Sequence, residues 1–328
     1  MIGNFKANLP YNNFLLLIYG LILKWALFVY PVTPVALSTD TLFFKSILTF
    51  VFLLGHSAPL FYSVIVFLLI YLQAVFLNRI VINQRLFSKT NYLTGMSYLL
   101  LTSLFSFWSA FSSVLLAATL LIWVLSILSR LSNIPDPKKT LFNVAILLGL
   151  ATLIFFPSIL FLLLALIGLS IMRPFRLPEW IILFFGLGTP FYFLWAYSYL
   201  FDKNTVVSYS KFAIGIPSFS LMRGELIAAI VITLLLFVGF YFVQINMRRL
   251  LVQSRNTWAI ILFYLAISFL IPFIDESASF HDFFLIVAPI SVLSAAGFVY
   301  PNKKWFPFVI HWTFVILSIL IGVYDTIH

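Results

Sequence analysis

The chain has 328 residues, of which 63% are apolar and only 9% are charged. Because soluble globular domains carry about 25% charged residues, this composition excludes an ordinary soluble protein. The absence of cysteine also excludes disulfides, thiolate nucleophiles and cysteine-ligated metal sites.

Eleven apolar segments approach the length of about 20 residues that a membrane-spanning helix needs. They predict an all-α, polytopic helical bundle of about eleven spans that forms a single integral membrane domain over residues 1–328. The segments are 12–31, 58–78, 92–108, 110–129, 140–156, 158–172, 179–200, 226–246, 257–273, 283–299 and 306–324.

The basic residues fix the expected orientation of these spans. With Met1 in the cytoplasm, fourteen of the nineteen Lys and Arg residues lie on inner connections, as the positive-inside rule requires. The C-terminus is then expected outside. The net charge of +10 is mostly an orientation signal, so nucleic-acid binding is not expected. The inner basic residues are Lys6, Arg79, Arg85, Lys89, Arg130, Lys138, Lys139, Arg173, Arg176, Arg248, Arg249, Arg255, Lys303 and Lys304.

The first apolar segment carries a lysine, Lys24, in its interior. It is longer than a signal-peptide core and ends at Pro31 without a small-residue cleavage site, which indicates an uncleaved span. A charged side chain inside a span either faces a cavity or snorkels to the interface, and both roles stay open for Lys24.

The outer segment 32–57 is polar at its start and then apolar for too few residues to span. Thr41, Lys45 and Thr49 recur every fourth residue, which predicts a helix lying in the outer membrane interface, with a loop packed on the bundle as the alternative. Lys45 is a candidate substrate-binding residue. Asp40 is a candidate general base, and its alternative role is to cap the helix that follows.

Two helical hairpins with outer turns are predicted next. Segment 92–129 turns at Trp108 and Ser109, and segment 140–172 turns at Pro157, because basic residues flank the inner ends of both. A proline-interrupted helix is the alternative in each segment.

The outer loop 201–225 contains Lys211 and Arg223, two of the few outer cations. An arginine binds phosphate oxygens through its planar fork, so both residues are candidates for holding an anionic lipid phosphate. The alternative for Arg223 is a pair with Glu225.

The outer loop 274–282 holds the densest polar cluster, Asp275, Glu276, His281 and Asp282. Carboxylates and imidazoles bind sugars and divalent metals, so either ligand is a candidate, although the spacing matches no metal motif. The alternative is a solvated turn.

This order of elements resembles the membrane module of the GT-C glycosyltransferases. Asp40 matches their first-loop acid, 149–157 (GLATLIFFP) resembles a hairpin of bacterial members, and 281–289 (HDFFLIVAP) resembles the start of a late helix. The resemblance implies a polyprenyl-phosphate sugar donor used at the periplasmic face of a bacterial inner membrane. It also implies that Asp40 serves as base or metal ligand. Our leading hypothesis adds that Arg223 and Lys211 hold the lipid phosphate and that the loop 274–282 binds sugar or metal.

The sequence departs from that family in two respects. A single acid replaces the acid pair often found in the first loop, and the large soluble domain of oligosaccharyltransferases is absent. The chain also resembles a group of multi-pass inner-membrane proteins of Bacteroidota. Besides contacts with membrane lipids, two alternative functions stay open: a non-catalytic subunit or scaffold that binds partner subunits of an envelope complex, and a lipid or solute transporter.

Overall fold

A computed structural model describes residues 2–7, 11–37, 40–55, 58–201, 223–274, 280–301, 303 and 305–327. Within these ranges all regular structure is helical, which confirms the all-α prediction. The α-helices are α1 (Ile2–Lys6), α2 (Asn12–Leu23), α3 (Trp25–Val29), α4 (Leu42–Gly55), α5 (Pro59–Asn83), α6 (Leu93–Thr102), α7 (Ser113–Leu128), α8 (Lys138–Ile154), α9 (Phe161–Met172), α10 (Leu177–Leu200), α11 (Arg223–Met247), α12 (Val252–Leu270), α13 (Val287–Val299) and α14 (Trp305–Ile327).

Seven helical segments of the described chain are long and apolar enough to cross a membrane. The predicted number of about eleven spans is therefore not confirmed, because the helices at the other four predicted spans are shorter than 18 residues: α2, α6, α8 and the segment Phe156–Met172. Large apolar side chains such as Phe185 and Phe237 are exposed on the long helices, as expected of lipid-facing surfaces. The seven segments are Pro59–Asn83, Ser113–Asn133, Leu177–Leu200, Gly224–Met247, Val252–Phe273, Phe280–Val299 and Trp305–Gly322.

The outer segment 32–57 contains the predicted short helix, α4, which has 14 residues. It packs on α5 and α8 through its buried residues Phe44 and Leu48, and it exposes Phe50 and Leu53 on another face. One face of α4 is thus buried against the bundle and another is exposed, although both faces are apolar.

The two expected hairpin turns lie at the predicted breaks, but only one joins helices that pack together. A 3₁₀ helix at Phe156–Leu160 contains Pro157 and connects α8 to α9, which contact each other. The prediction of a tight hairpin over 92–129 is wrong. The ten residues between α6 and α7 let the helices diverge, so α6 packs on α5 and α13, while α7 packs on α8.

The centre of the bundle is formed by α6 and α13. All ten residues of α6 are buried, and α13 is buried along nearly its whole length. On α6, the Tyr98 hydroxyl donates to Gln73 Oε1 on α5 at 2.6 Å, and Gln73 Nε2 donates to the Leu115 carbonyl on α7 at 3.0 Å. These bonds link α5, α6 and α7, since buried polar groups between apolar helices need partners.

Connections that the charge pattern predicts on the inner side contact one another. The backbone N–H of Tyr92 donates to the Phe5 carbonyl at 2.8 Å, and Ser254 Oγ donates to the Gln84 carbonyl at 2.8 Å. Arg173 Nη2 donates to the Pro135 carbonyl at 3.2 Å. The connections predicted on the inner side therefore lie together at one end of the bundle.

Connections predicted on the outer side likewise contact one another. Trp108 Nε1 donates to the Phe280 carbonyl at 3.4 Å, and Thr41 Oγ1 donates to the Leu153 carbonyl at 2.7 Å. The alternation of basic and basic-poor connections in the sequence thus corresponds to two groups of connections in the fold.

Candidate functional site

A cavity of about 810 Å³ lies among the connections predicted on the outer side. Its walls include Lys24 at the α2–α3 break, Asp40 before α4, the 3₁₀ turn at Pro157 and the start of the segment leading into α13. Ligand pockets typically occupy about 300–1,000 Å³, so this cavity is large enough for a substantial small molecule. The remaining polar lining is rich in serine: Ser63, Ser103, Ser106, Ser109, Ser112, Ser113 and Ser318.

Asp40 is half-buried at this cavity, and the protein holds both of its carboxylate oxygens. One oxygen accepts from the backbone N–H of Leu37 at 2.8 Å, and the other accepts from Ser113 Oγ at 2.9 Å. The capping interpretation is wrong, because α4 begins at Leu42 and Thr41 Oγ1 accepts from the Phe44 N–H at 3.2 Å. Asp40 is thereby left to face the cavity.

The neighbouring residue Thr41 helps to position Asp40. Its hydroxyl lies 2.7 Å from the Leu153 carbonyl and 3.0 Å from the Ile154 carbonyl, two acceptors at the end of α8. The start of α4 is therefore attached to the segment 149–157, and the position of Asp40 follows from that attachment.

His281 and Asp282 line the same cavity from the 3₁₀ helix Phe280–Ile286. Asp282 is buried, and the ring centroid of His281 lies 5.0 Å from that of Phe107. The fold thus brings together two predicted acidic regions that are about 240 residues apart in sequence. Their partners in the predicted cluster, Asp275 and Glu276, lie outside the described residues.

Lys24 belongs to this cavity, a role that the sequence left open. Lys24 is only 3% exposed, and its ammonium donates to the Thr102 carbonyl at 3.0 Å and to Ser109 Oγ at 2.8 Å. These contacts show that Lys24 points into the bundle and does not snorkel. The signal available in the sequence was a single cation within an apolar segment.

Of the other predicted site residues, only Lys45 has a described side chain. Lys45 lies on α4 and is not part of the cavity wall. Arg223 begins α11, its side chain is outside the description, and Lys211 lies among the undescribed residues. Within the described ranges no three His, Asp or Glu side chains are placed to hold a metal ion, so the predicted divalent metal stays a prediction.

A second cavity, about 470 Å³, lies beside the aromatic residues Trp108 and Phe280 and is almost wholly apolar. Trp108 and Phe280 line it and stack with their ring centroids 6.2 Å apart, whereas their neighbours Phe107 and His281 line the larger cavity. This aromatic layer therefore separates the partly polar cavity from the apolar one. Most of the remaining wall comes from α11 and α12.

Together, the long apolar helices and the partly polar cavity at one end define a polytopic helical membrane protein with a candidate site for an amphiphile. Comparisons with protein-family models, with curated proteins and with solved structures give no match.

Proposed function

We propose that the chain is a GT-C-like glycosyltransferase that uses a polyprenyl-phosphate-linked sugar at the periplasmic face of a bacterial inner membrane. The observation that carries this proposal is the shared cavity of Asp40, His281 and Asp282, three groups from distant outer connections. An enzyme that acts on a lipid-linked sugar needs such polar groups beside apolar surface at one membrane face.

In the proposed reaction the Asp40 carboxylate accepts the proton of an acceptor hydroxyl. The acceptor oxygen then forms a bond to the anomeric carbon of the sugar, while the bond from that carbon to the phosphate oxygen breaks. Polyprenyl phosphate leaves with the bonding electron pair. The hydrogen bonds from Leu37 and Ser113 orient the carboxylate for this step.

The mixed character of the site supports an amphiphilic donor. The larger cavity offers hydroxyls and ionisable groups for a sugar and a phosphate, and the adjoining apolar cavity offers aromatic and aliphatic walls for part of a prenyl chain. Pockets that orient a ligand through few polar groups on an apolar background are typical of small-molecule sites.

The proposal is tested by incubating the purified protein in detergent with a panel of polyprenyl-phosphate sugars and hydroxyl acceptors. Release of polyprenyl phosphate, followed by thin-layer chromatography, is the expected result with at least one donor. No release with any donor, from protein that is folded and monodisperse, would count against a transferase.

One observation favours a second candidate, a non-catalytic integral subunit of an envelope complex. Both Asp40 oxygens are already bonded within the protein: the bond from Leu37 is local, and the bond from Ser113 attaches the segment before α4 to α7. A purely structural carboxylate has this arrangement. Co-purification of a stoichiometric partner subunit, with Asp40→Asn harmless to the cell, would favour this candidate over the transferase.

The proposed orientation can be tested because the chain contains no cysteine, so a single introduced thiol gives no background. Ala36 and Ser132 are exposed residues on connections predicted to lie outside and inside, respectively. We expect a membrane-impermeant maleimide to label the Ala36→Cys variant in intact spheroplasts, and to label Ser132→Cys only after the membrane is disrupted. The reverse pattern would overturn the orientation.

A further inference from the structure

Lys24 is a buried cation whose two partners carry no negative charge. Its ammonium donates to a backbone carbonyl, Thr102, and to a hydroxyl, Ser109. Among the described residues no carboxylate lies within ion-pair distance of it. Asp40, which lines the same cavity, already accepts two hydrogen bonds from Leu37 and Ser113.

A buried ammonium without a counter-ion is costly, because it loses the hydration that stabilises it in water. Such a group is retained in a membrane protein mainly where it faces a cavity and meets a charged partner. Lys24 is part of the wall of the 810 Å³ cavity, so a ligand there can supply the missing negative charge.

Two hydroxyls of the cavity wall suit the same ligand. Ser109 Oγ accepts from Lys24, and Ser112 Oγ accepts from the Leu115 N–H at 3.3 Å, so the proton of each hydroxyl remains available for a further bond. Both serines line the cavity. One ammonium and two hydroxyl donors form a suitable set for a phosphate oxygen.

We propose that Lys24, assisted by Ser109 and Ser112, binds the phosphate group of an amphiphilic ligand in the larger cavity. The inference rests on the proposed function only for the ligand class, since binding at Lys24 needs no sugar transfer. It differs from the sequence-based assignment, which gave the phosphate to Arg223 and Lys211.

The test is isothermal titration calorimetry of the full-length protein in detergent with three probes: farnesyl phosphate, farnesol and inorganic phosphate. We expect farnesyl phosphate to bind the wild-type protein, and Lys24→Met to weaken that binding about ten- to a hundredfold, since a hydrogen bond to a charged group is removed. Farnesol, which lacks the phosphate, is expected to bind both proteins equally. Gln73→Leu removes a buried polar group outside the cavity wall and serves as the control. We expect the folded Gln73→Leu protein to bind farnesyl phosphate with the affinity of the wild-type protein.

Equal affinity of wild-type and Lys24→Met protein for farnesyl phosphate would overturn the inference. Equal affinity of the wild-type protein for inorganic phosphate and farnesyl phosphate would assign the site to a free anion and overturn the lipid assignment. If Lys24→Met does not fold, Ser109→Ala keeps the charge and is expected to weaken binding severalfold, and unchanged affinity there would contradict the account. Binding that depends on Lys24 without any sugar transfer would refute the proposed function and leave this inference standing.

Discussion

Replacing Asp40 with asparagine is expected to lower the rate of sugar transfer by about 10²- to 10⁴-fold, the usual contribution of a positioned acid–base group. The amide keeps the size of the carboxylate and can still accept a hydrogen bond, so the fold around Leu37 and Ser113 should persist. The substitution therefore removes the base and little else. The measurement is the initial rate of polyprenyl phosphate release at saturating donor.

Ser113→Ala is the matched control for this variant. It removes one donor to the carboxylate, at 2.9 Å, but keeps the carboxylate itself. We expect a much smaller loss of rate than in Asp40→Asn, because the base remains and only its orientation is relaxed. Wild-type activity in Asp40→Asn would show that the carboxylate is structural and would favour the non-catalytic subunit.

Gly239→Ala is expected to destabilise the fold by about 3 kcal/mol or more, at the upper end of overpacking effects. A Cβ at Gly239 on α11 would lie 2.2 Å from the backbone carbonyl oxygen of Leu293 on α13. Backbone atoms cannot move aside as a flexible side chain can, so the two helices must separate. Small residues commonly permit such close helix approach in membranes.

Gly297→Ala provides the control at the same interface. There a Cβ would meet Leu235 and Val238 side chains at 3.5 and 3.6 Å, which is ordinary contact. We expect its melting temperature to stay near that of the wild-type protein or to rise, since alanine favours helix over glycine. Thermal unfolding followed by size-exclusion chromatography compares the two variants, and equal melting temperatures would contradict the packing described for α11 and α13.

The helical class and the grouping of connections could be predicted because they follow from composition and charge. Long apolar segments must satisfy their backbone within helices, and basic residues mark alternate connections. The packing of the helices against one another could not be predicted from the sequence in the same way. The pairing of α6 with α5 and α13 depends on side-chain fit between segments distant in sequence, and a pattern of apolar residues does not distinguish one apolar neighbour from another.

The candidate site could likewise be predicted only in part. Asp40, His281 and Asp282 stood out as polar groups between apolar segments, and the fold places all three at one cavity. Thr41, not Asp40, caps α4, because the helix begins one residue later than the sequence predicted. Lys24 could not be assigned from the sequence, because the partners that hold it lie about 80 residues away along the chain.

The most direct test of the account is a cryo-EM density map of the purified protein in native-lipid discs. The account predicts an elongated density with its head group in the cavity between Asp40 and Lys24. A cavity filled only by rearranged protein side chains, with Asp40 bonded as before to Leu37 and Ser113, would contradict a lipid-phosphate site and leave an interaction subunit as the better interpretation.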